Sequence, residues 1–368
     1  MTRAAPQQPG ADDLTWGLCV ATLNRQEALE ECVRRALIQT IPPVEIVIVD
    51  ASETWEAHRA SIREILDAHA TPPRLAFFPA NRRSSAAQRN QAMAEASADV
   101  LFFIDDDSWM AADCAERILE TYSAAPKGDI AAVAAMDASF AAIQGGDDGR
   151  RDVSGVEQMS GLAERMGRWR RSAAVRWVFH NVLLFSNVGS FVPFDVERPD
   201  FAAVPKPPGA FRVQLMSGHT MTVRREVALA EPFEGRLLAY SPAEDLDACY
   251  RWGRRGAIFA QTRARLYHHR AATARLKRKQ VVTLTLLNVL FFVRRSSSRQ
   301  VAHGAAWVVV ALRRLLADLL KDLMKGRLSL PQFRGVLHAM GLAPLMFLQD
   351  RQSLGEWYER LQARILAR

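Results

Sequence analysis

The sequence predicts an α/β fold: a mostly parallel sheet flanked by helices, followed by a helical C-terminal region. Three observations predict it. Strand-like and helix-like segments alternate at short spacing from Leu14 onward, the pattern of a parallel sheet with helical crossovers. Two strand-like runs, VEIVIVD and DVLFFID, are apolar almost throughout, as strands covered on both faces are. Beyond about Gln280 strand signals cease and apolar residues recur at helical spacing.

The elements follow in order. Residues 18–23 form the first strand, and NRQEALEECVRRALIQT a helix in which Leu29, Val33, Ala36 and Leu37 share a face and Asn24 is placed to cap the first turn. Pro42 and Pro43 stop that helix. VEIVIVD brings Asp50 to the carboxyl end of a buried strand, where open α/β sheets bind ligands. Residues 74–78 make a third strand, AAQRNQAMAEAS a helix, and DVLFFID a strand running straight into Asp105, Asp106 and Asp107. Residues 137–213 are looser, with GGDDGRRD, a basic amphipathic run over 159–185 and the proline-rich PKPPG, and read as an insertion or acceptor-side element. In the C-terminal region Val308, Leu312, Leu315, Leu316, Leu319, Leu320 and Leu323 mark one helix face. The expected division is a loose tail over 1–13, a main domain over 14–275 and a helical region over 276–368.

Composition narrows the function classes. The 368 residues are 49% hydrophobic and 24% charged, which suits one large or two medium globular domains and excludes disordered and collagen-like chains. The net charge of +8 favours an anionic partner: nucleic acid, nucleotide phosphate or anionic lipid. Cys19, Cys32, Cys114 and Cys249 stand apart without a CxxC pair, so buried free thiols in a reducing compartment are expected. The polar start is not read as a secretory signal. The apolar windows 281–293, 305–312 and 335–348 are broken before the roughly 20 residues that span a bilayer. No helix-turn-helix, zinc-finger or aromatic-basic RNA signature appears, so no nucleic acid partner is expected. No GxGxxG follows the first strand, which argues against redox chemistry.

Three consecutive aspartates at the end of a buried strand repel one another and raise one another's pKa. A divalent cation removes that repulsion, and Mg2+ or Mn2+ favours carboxylates together with phosphate oxygens. A solvated turn in which Asp105 or Asp107 caps a helix at Ser108 or Trp109 accounts for the same residues.

The segments GLCVATLNR, VIVDAS, SSAAQRNQAMAEASADVLFFIDDDS and SPAEDLDACYRWGRRG, in that order over residues 18–269, resemble glycosyltransferase family 2 on the Rossmann-like GT-A fold. The resemblance implies an inverting, metal-dependent enzyme that moves a sugar from a nucleotide-diphosphate-sugar to an acceptor hydroxyl. On these residues it implies nucleotide-sugar contacts at Ala21, Thr22, Asn24, Arg25, Asp50, Arg89, Asp105 and Asp106. It implies Mn2+ or Mg2+ at Asp105 and Asp107, with His268 or His269 as a further ligand. Asp245, next to Glu244, matches the family's general base, with Asp247 in reserve; Ser217, Gly218 and His219 are acceptor-side candidates. The family's Ala-Arg-Asn turn here reads Ala87-Gln88-Arg89-Asn90, with a glutamine inserted.

Plainer readings stand beside these. Asp50 also suits a turn cap, Arg82, Arg83 and Arg89 surface charges, and Ser241-Pro242-Ala243-Glu244 a helix start with Ser241 as cap and Glu244 closing a capping box. The basic stretch before the apolar run 281–293 suits a helix in the interface of an anionic membrane, or a helical layer packed on the sheet domain with its charges in water. The expected setting is surface polysaccharide or glycolipid assembly, cytoplasmic or peripheral on that face of the membrane, with a saccharide or lipid-linked saccharide acceptor. A non-catalytic nucleotide-sugar or polysaccharide-binding module on the same fold is the alternative. Oligomeric state is not legible.

Overall fold

A computed structural model describes residues 14–126, 128–144, 204–269 and 276–367. The expected tail over 1–13 and the amphipathic run over 159–185 lie outside them. The chain divides into two compact units, the first taking in the described residues 14–144 and 204–269 and the second residues 276–367.

In the first unit, β1 (Trp16–Thr22), β2 (Glu45–Asp50), β3 (Arg74–Pro79) and β4 (Val100–Phe103) form a parallel half-sheet in the order β3, β2, β1, β4. These are the strands that the sequence marks. The sheet continues through β8 (Met221–Arg224), antiparallel to β4 and to β6 (Ile130–Asp137), then through β9 (Ala257–His268), parallel to β6. The short β5 (Ser108–Met110) and β7 (Ala210–Arg212) pair antiparallel with β9. Met110 and Ser108 therefore continue the sheet where the capping alternative expected a helix. The helix α4 (Cys114–Ser123) begins later.

The central strands are apolar on both faces because both are covered. Leu18, Val20, Ile46, Ile48 and Phe102 pack with α1 (Gln26–Leu37), α2 (Trp55–Asp67) and α4, through residues such as Leu29, Ile62 and Ile118. The alternate residues Cys19, Val47, Val49, Leu101 and Phe103 pack on the other face with α3 (Ser85–Glu95), α6 (Arg225–Ala230) and α7 (Glu244–Trp252), through Met93, Val227 and Trp252. A single-turn helix, α5 (Phe140–Ile143), follows β6. All four cysteines are buried and free.

The second unit is a bundle of α8 (Arg278–Ser296), α9 (Gln300–Met324), α10 (Pro331–Phe347) and α11 (Leu354–Leu366). The apolar run 281–293 lies in α8, and Leu284, Leu287, Leu290 and Phe292 are fully buried. The apolar run is thus covered within this bundle. At Gly335 α10 comes so close that a Cβ would lie 2.9 Å from the Lys279 carbonyl oxygen of α8. Trp307 donates to the Leu286 carbonyl at 2.8 Å, and Asp322 of α9 accepts from the Gln332 and Phe333 amides at 2.7 and 3.2 Å, capping α10 from a neighbouring helix. No described helix is long and apolar enough to cross a membrane.

Candidate active site

Parallel strands deliver their carboxyl ends to one edge, and there β1 ends at Thr22, β2 at Asp50 and β4 runs into Asp105, Asp106 and Asp107. Gln88 of α3 holds this edge together, donating to the carbonyls of Thr22 at 2.9 Å and Val49 at 2.8 Å. The glutamine that interrupts the family's turn therefore ties two strand ends, a role sequence reasoning missed; its place in a helix that opens with Ser84 as cap was the available signal.

The three aspartates separate in environment. Asp106 is buried; its carboxylate accepts from Thr22 Oγ1 at 2.7 Å and from Arg25 at 2.9 Å. Burial pushes its pKa up to about 7, against the pull of Arg25 and the Thr22 hydrogen bond. Asp105 and Asp107 join His268, at the end of β9, in a group whose ligand atoms all lie within 4.8 Å of one another. Two carboxylate oxygens and an imidazole nitrogen suit Mn2+ well and Mg2+ through the oxygens. His268 Nε2 lies 3.3 Å from Asp107, and Arg25 lies 3.4 Å from Asp107. His269 is placed differently: its ring stacks on Trp109 at 4.5 Å, outside that group.

Arg89 joins the aspartates to the second acidic motif. It is 3% exposed, contacts the Glu244 carboxylate, and donates to Asp105 at 2.8 Å and to the Gly218 carbonyl at 3.0 Å. The surface-charge reading fails for this arginine. Three neighbouring positions, Ala239, Ser241 and Ala243, have φ of 54°, 49° and 70°; none is glycine, so backbone strain is concentrated just ahead of Glu244. Helix α7 starts at Glu244 with Ala243 at the N-cap and no side-chain cap, and the Ser241 capping box does not form. Ser241 instead lies 3.3 Å from Ser84 Oγ, at the start of α3.

Asp245 is held by backbone. One oxygen accepts from its neighbour Leu246 N at 2.9 Å and the other from Gly218 N at 3.1 Å. Burial raises its pKa, against the Leu246 amide and Arg89. Asp247 is not brought to Gly218: it is buried in a two-point pair with Arg251, at 3.0 and 2.7 Å, because Arg251 follows it by one helical turn. His219 Nδ1 lies 2.7 Å from Ser217 Oγ and Nε2 2.8 Å from Asp137, and its ring stacks on His268 at 4.2 Å. Asp50 accepts from Ser52 N at 2.7 Å and pairs with His58 Nδ1 at 2.6 Å, a turn-type arrangement inside the protein. Asn24 does not cap α1; its φ is 54° and its amide donates to Ser52 Oγ at 2.7 Å.

Residues 18–154 match the sequence family described as Glycosyl transferase family 2. That segment, 137 of the 368 residues, is what the chain shares with the family. Glu244, Asp245 and His268 lie beyond the matched residues. Among solved structures this chain is similar to "Crystal structure of GalNAc-T7 with UDP, GalNAc and Mn2+", at 14% identity and a TM-score of 0.49, over 74% of this chain and 47% of that one. It is likewise similar to "Mannosyltransferase PcManGT from Pyrobaculum calidifontis in complex with GDP-Man and Mn2+", at 14% identity and 0.49, over 96% and 85%. The chain spans about half the length of the first. No curated protein matches the sequence.

Glu244 gives this site a pH signature. Burial pushes its carboxyl up to about 8; Arg89 opposes the rise, and Asp245 and Asp105 add to it. A folded-state pKa above the unfolded value of 4.5 means the native state holds the proton more tightly, so stability falls as pH rises through that window. Glu244→Gln keeps the protonated shape and should therefore gain on wild type by roughly 1 kcal/mol or more between about pH 5 and 8. Denaturant melts at several pH values check this; a constant difference would contradict it.

Proposed function

We propose that this chain transfers a sugar from a nucleotide-diphosphate-sugar to an acceptor hydroxyl, in a single in-line displacement with inversion. The observation that carries the reading is Arg89, whose one guanidinium reaches both Asp105 and Glu244 and so joins the acids of the strand edge to the acid pair of α7. Leaving-group and acceptor chemistry require two differently tuned acidic centres in one site.

Asp245 is the general base. Its two backbone hydrogen bonds fix the carboxylate, and a raised pKa makes it a stronger acceptor for the hydroxyl proton. Asp105, Asp107 and His268 would hold Mn2+ or Mg2+, His268 being preferred over His269 because it lies in the cluster. A bound cation there supplies Lewis-acid stabilisation of the charge that builds on the diphosphate. Thr22, Arg25 and Asp106 form the nucleotide side, with Ala21 and Asn24 beside them. Asp50 serves by fixing the Ser52 turn on which the Asn24 amide rests. Gly218 and His219 border the acceptor side. The acceptor is a saccharide or lipid-linked saccharide, worked on at the cytoplasmic face of a membrane during surface polysaccharide or glycolipid assembly.

The test is a panel of nucleotide sugars with Mn2+, monitored for release of nucleoside diphosphate with and without saccharide acceptors. One donor class should stand out, and its product should carry the opposite anomeric configuration. Retention of configuration would exclude the single displacement.

A further inference from the structure

Five of the exposed apolar side chains of the second unit line one helix face. On α9, Val301, Val308, Leu312, Leu316 and Leu323 are 88, 42, 51, 48 and 51% exposed. Their steps of seven, four, four and seven residues keep them on one stripe, while Trp307, Ala311, Asp318 and Asp322 turn into the bundle. The sequence marks the Val308 to Leu323 face as apolar, and the fold turns much of it outward. Leu328, in the connection to α10, and Leu348, just beyond α10, add side chains that are 86 and 80% exposed. A contiguous apolar row of this kind is unusual on a soluble surface and marks an interaction site.

Charge identifies what it meets. Residues 276–349 contain twelve lysines and arginines and two acids, Asp318 and Asp322. Both acids are buried in ion pairs, Asp318 with Arg314 and Lys321 and Asp322 with Arg327. Arg299, Lys325 and Arg334 are exposed. Residues 276–349 therefore present cations around the leucine row with no exposed acid among them; in the rest of the unit the exposed Asp350 and Glu356 are matched by the exposed Arg351 and Arg360. A second copy would bring cations against cations, whereas an anionic lipid surface complements them. We propose that α9 lies in the headgroup boundary of an anionic membrane, with Leu312 and Leu316 inserted and the flanking basic residues on lipid headgroups. Docking needs no sugar donor, so it fails or succeeds separately from the transfer reading.

Flotation of the full chain with phosphatidylcholine vesicles, and with vesicles of equal parts phosphatidylcholine and phosphatidylglycerol, tests this. Binding is expected on the anionic vesicles alone, weakened by high salt. The exposed double variant Leu312→Gln with Leu316→Gln should keep the wild-type thermal melt and bind on the order of tenfold more weakly. Absence of flotation, or equal flotation of the variant, would overturn the proposal. So would a dimer in sedimentation velocity that the same variant dissolves, which would assign the face to a second copy.

Discussion

Asp245→Asn is expected to lower the rate of sugar transfer by about 10²- to 10⁴-fold, the contribution of a positioned general base, while nucleotide affinity changes only a few-fold. The change is nearly isosteric, but an amide cannot accept the hydroxyl proton. One of the two backbone donors, Leu246 N or Gly218 N, must then face the Asn NH2 group, so a loss of about 1 kcal/mol of stability accompanies it. Turnover and binding are therefore measured separately, in a release assay and by nucleotide titration. Loss of turnover with binding retained separates a catalytic site from a sugar-nucleotide-binding module on the same fold. A variant with wild-type turnover would remove Asp245 from the chemistry.

Arg89→Ala is expected to produce the largest stability loss, about 3–5 kcal/mol, because removing one partner of a buried ion pair strands the other. Above about pH 8, where Glu244 is ionised, two carboxylates lose their counter-charge, Glu244 at 7% exposure and the more open Asp105. The Gly218 carbonyl loses its donor as well. Thermal melts should shift on the order of 10 °C downward. Adding Glu244→Gln should recover part of the loss, since the neutral amide needs no counter-charge and the two positions are in contact. Strictly additive effects would contradict a shared ion pair. Arg89→Lys should fall between, keeping the charge but losing the planar fork that reaches two acids at once.

The parallel half of the sheet was legible because its strands are long and apolar. Residues 18–23, 44–50 and 74–78 correspond closely to β1, β2 and β3, and DVLFFID contains β4. The short edge strands were not: β5 and β7 have three residues each, too few to carry a period. Helix α7 was read as starting at a capped Ser241, because its actual entry depends on left-handed backbone at non-glycine residues that no propensity favours.

At the site, the acids were legible by type and position, and their relations were not. Arg89 and Glu244 are 155 residues apart in sequence, and only the fold makes them partners. Asp245 and Asp247 look interchangeable along the chain until Arg251, one turn beyond, takes the second. His268 and His269 are adjacent in an extended segment, so their side chains point to opposite sides. One meets Asp107 and the other Trp109.

In the proposed reaction the strand-edge acids and His268 build a metal-dependent nucleotide site. Calorimetric titration of nucleoside diphosphates with and without Mn2+, into wild type and Asp107→Ala, tests it most directly. One nucleoside diphosphate should bind wild type only when Mn2+ is present, and Asp107→Ala, folded by its thermal melt, should fail to bind it under either condition. Equal binding with and without the metal, or unchanged binding in the variant, would contradict it.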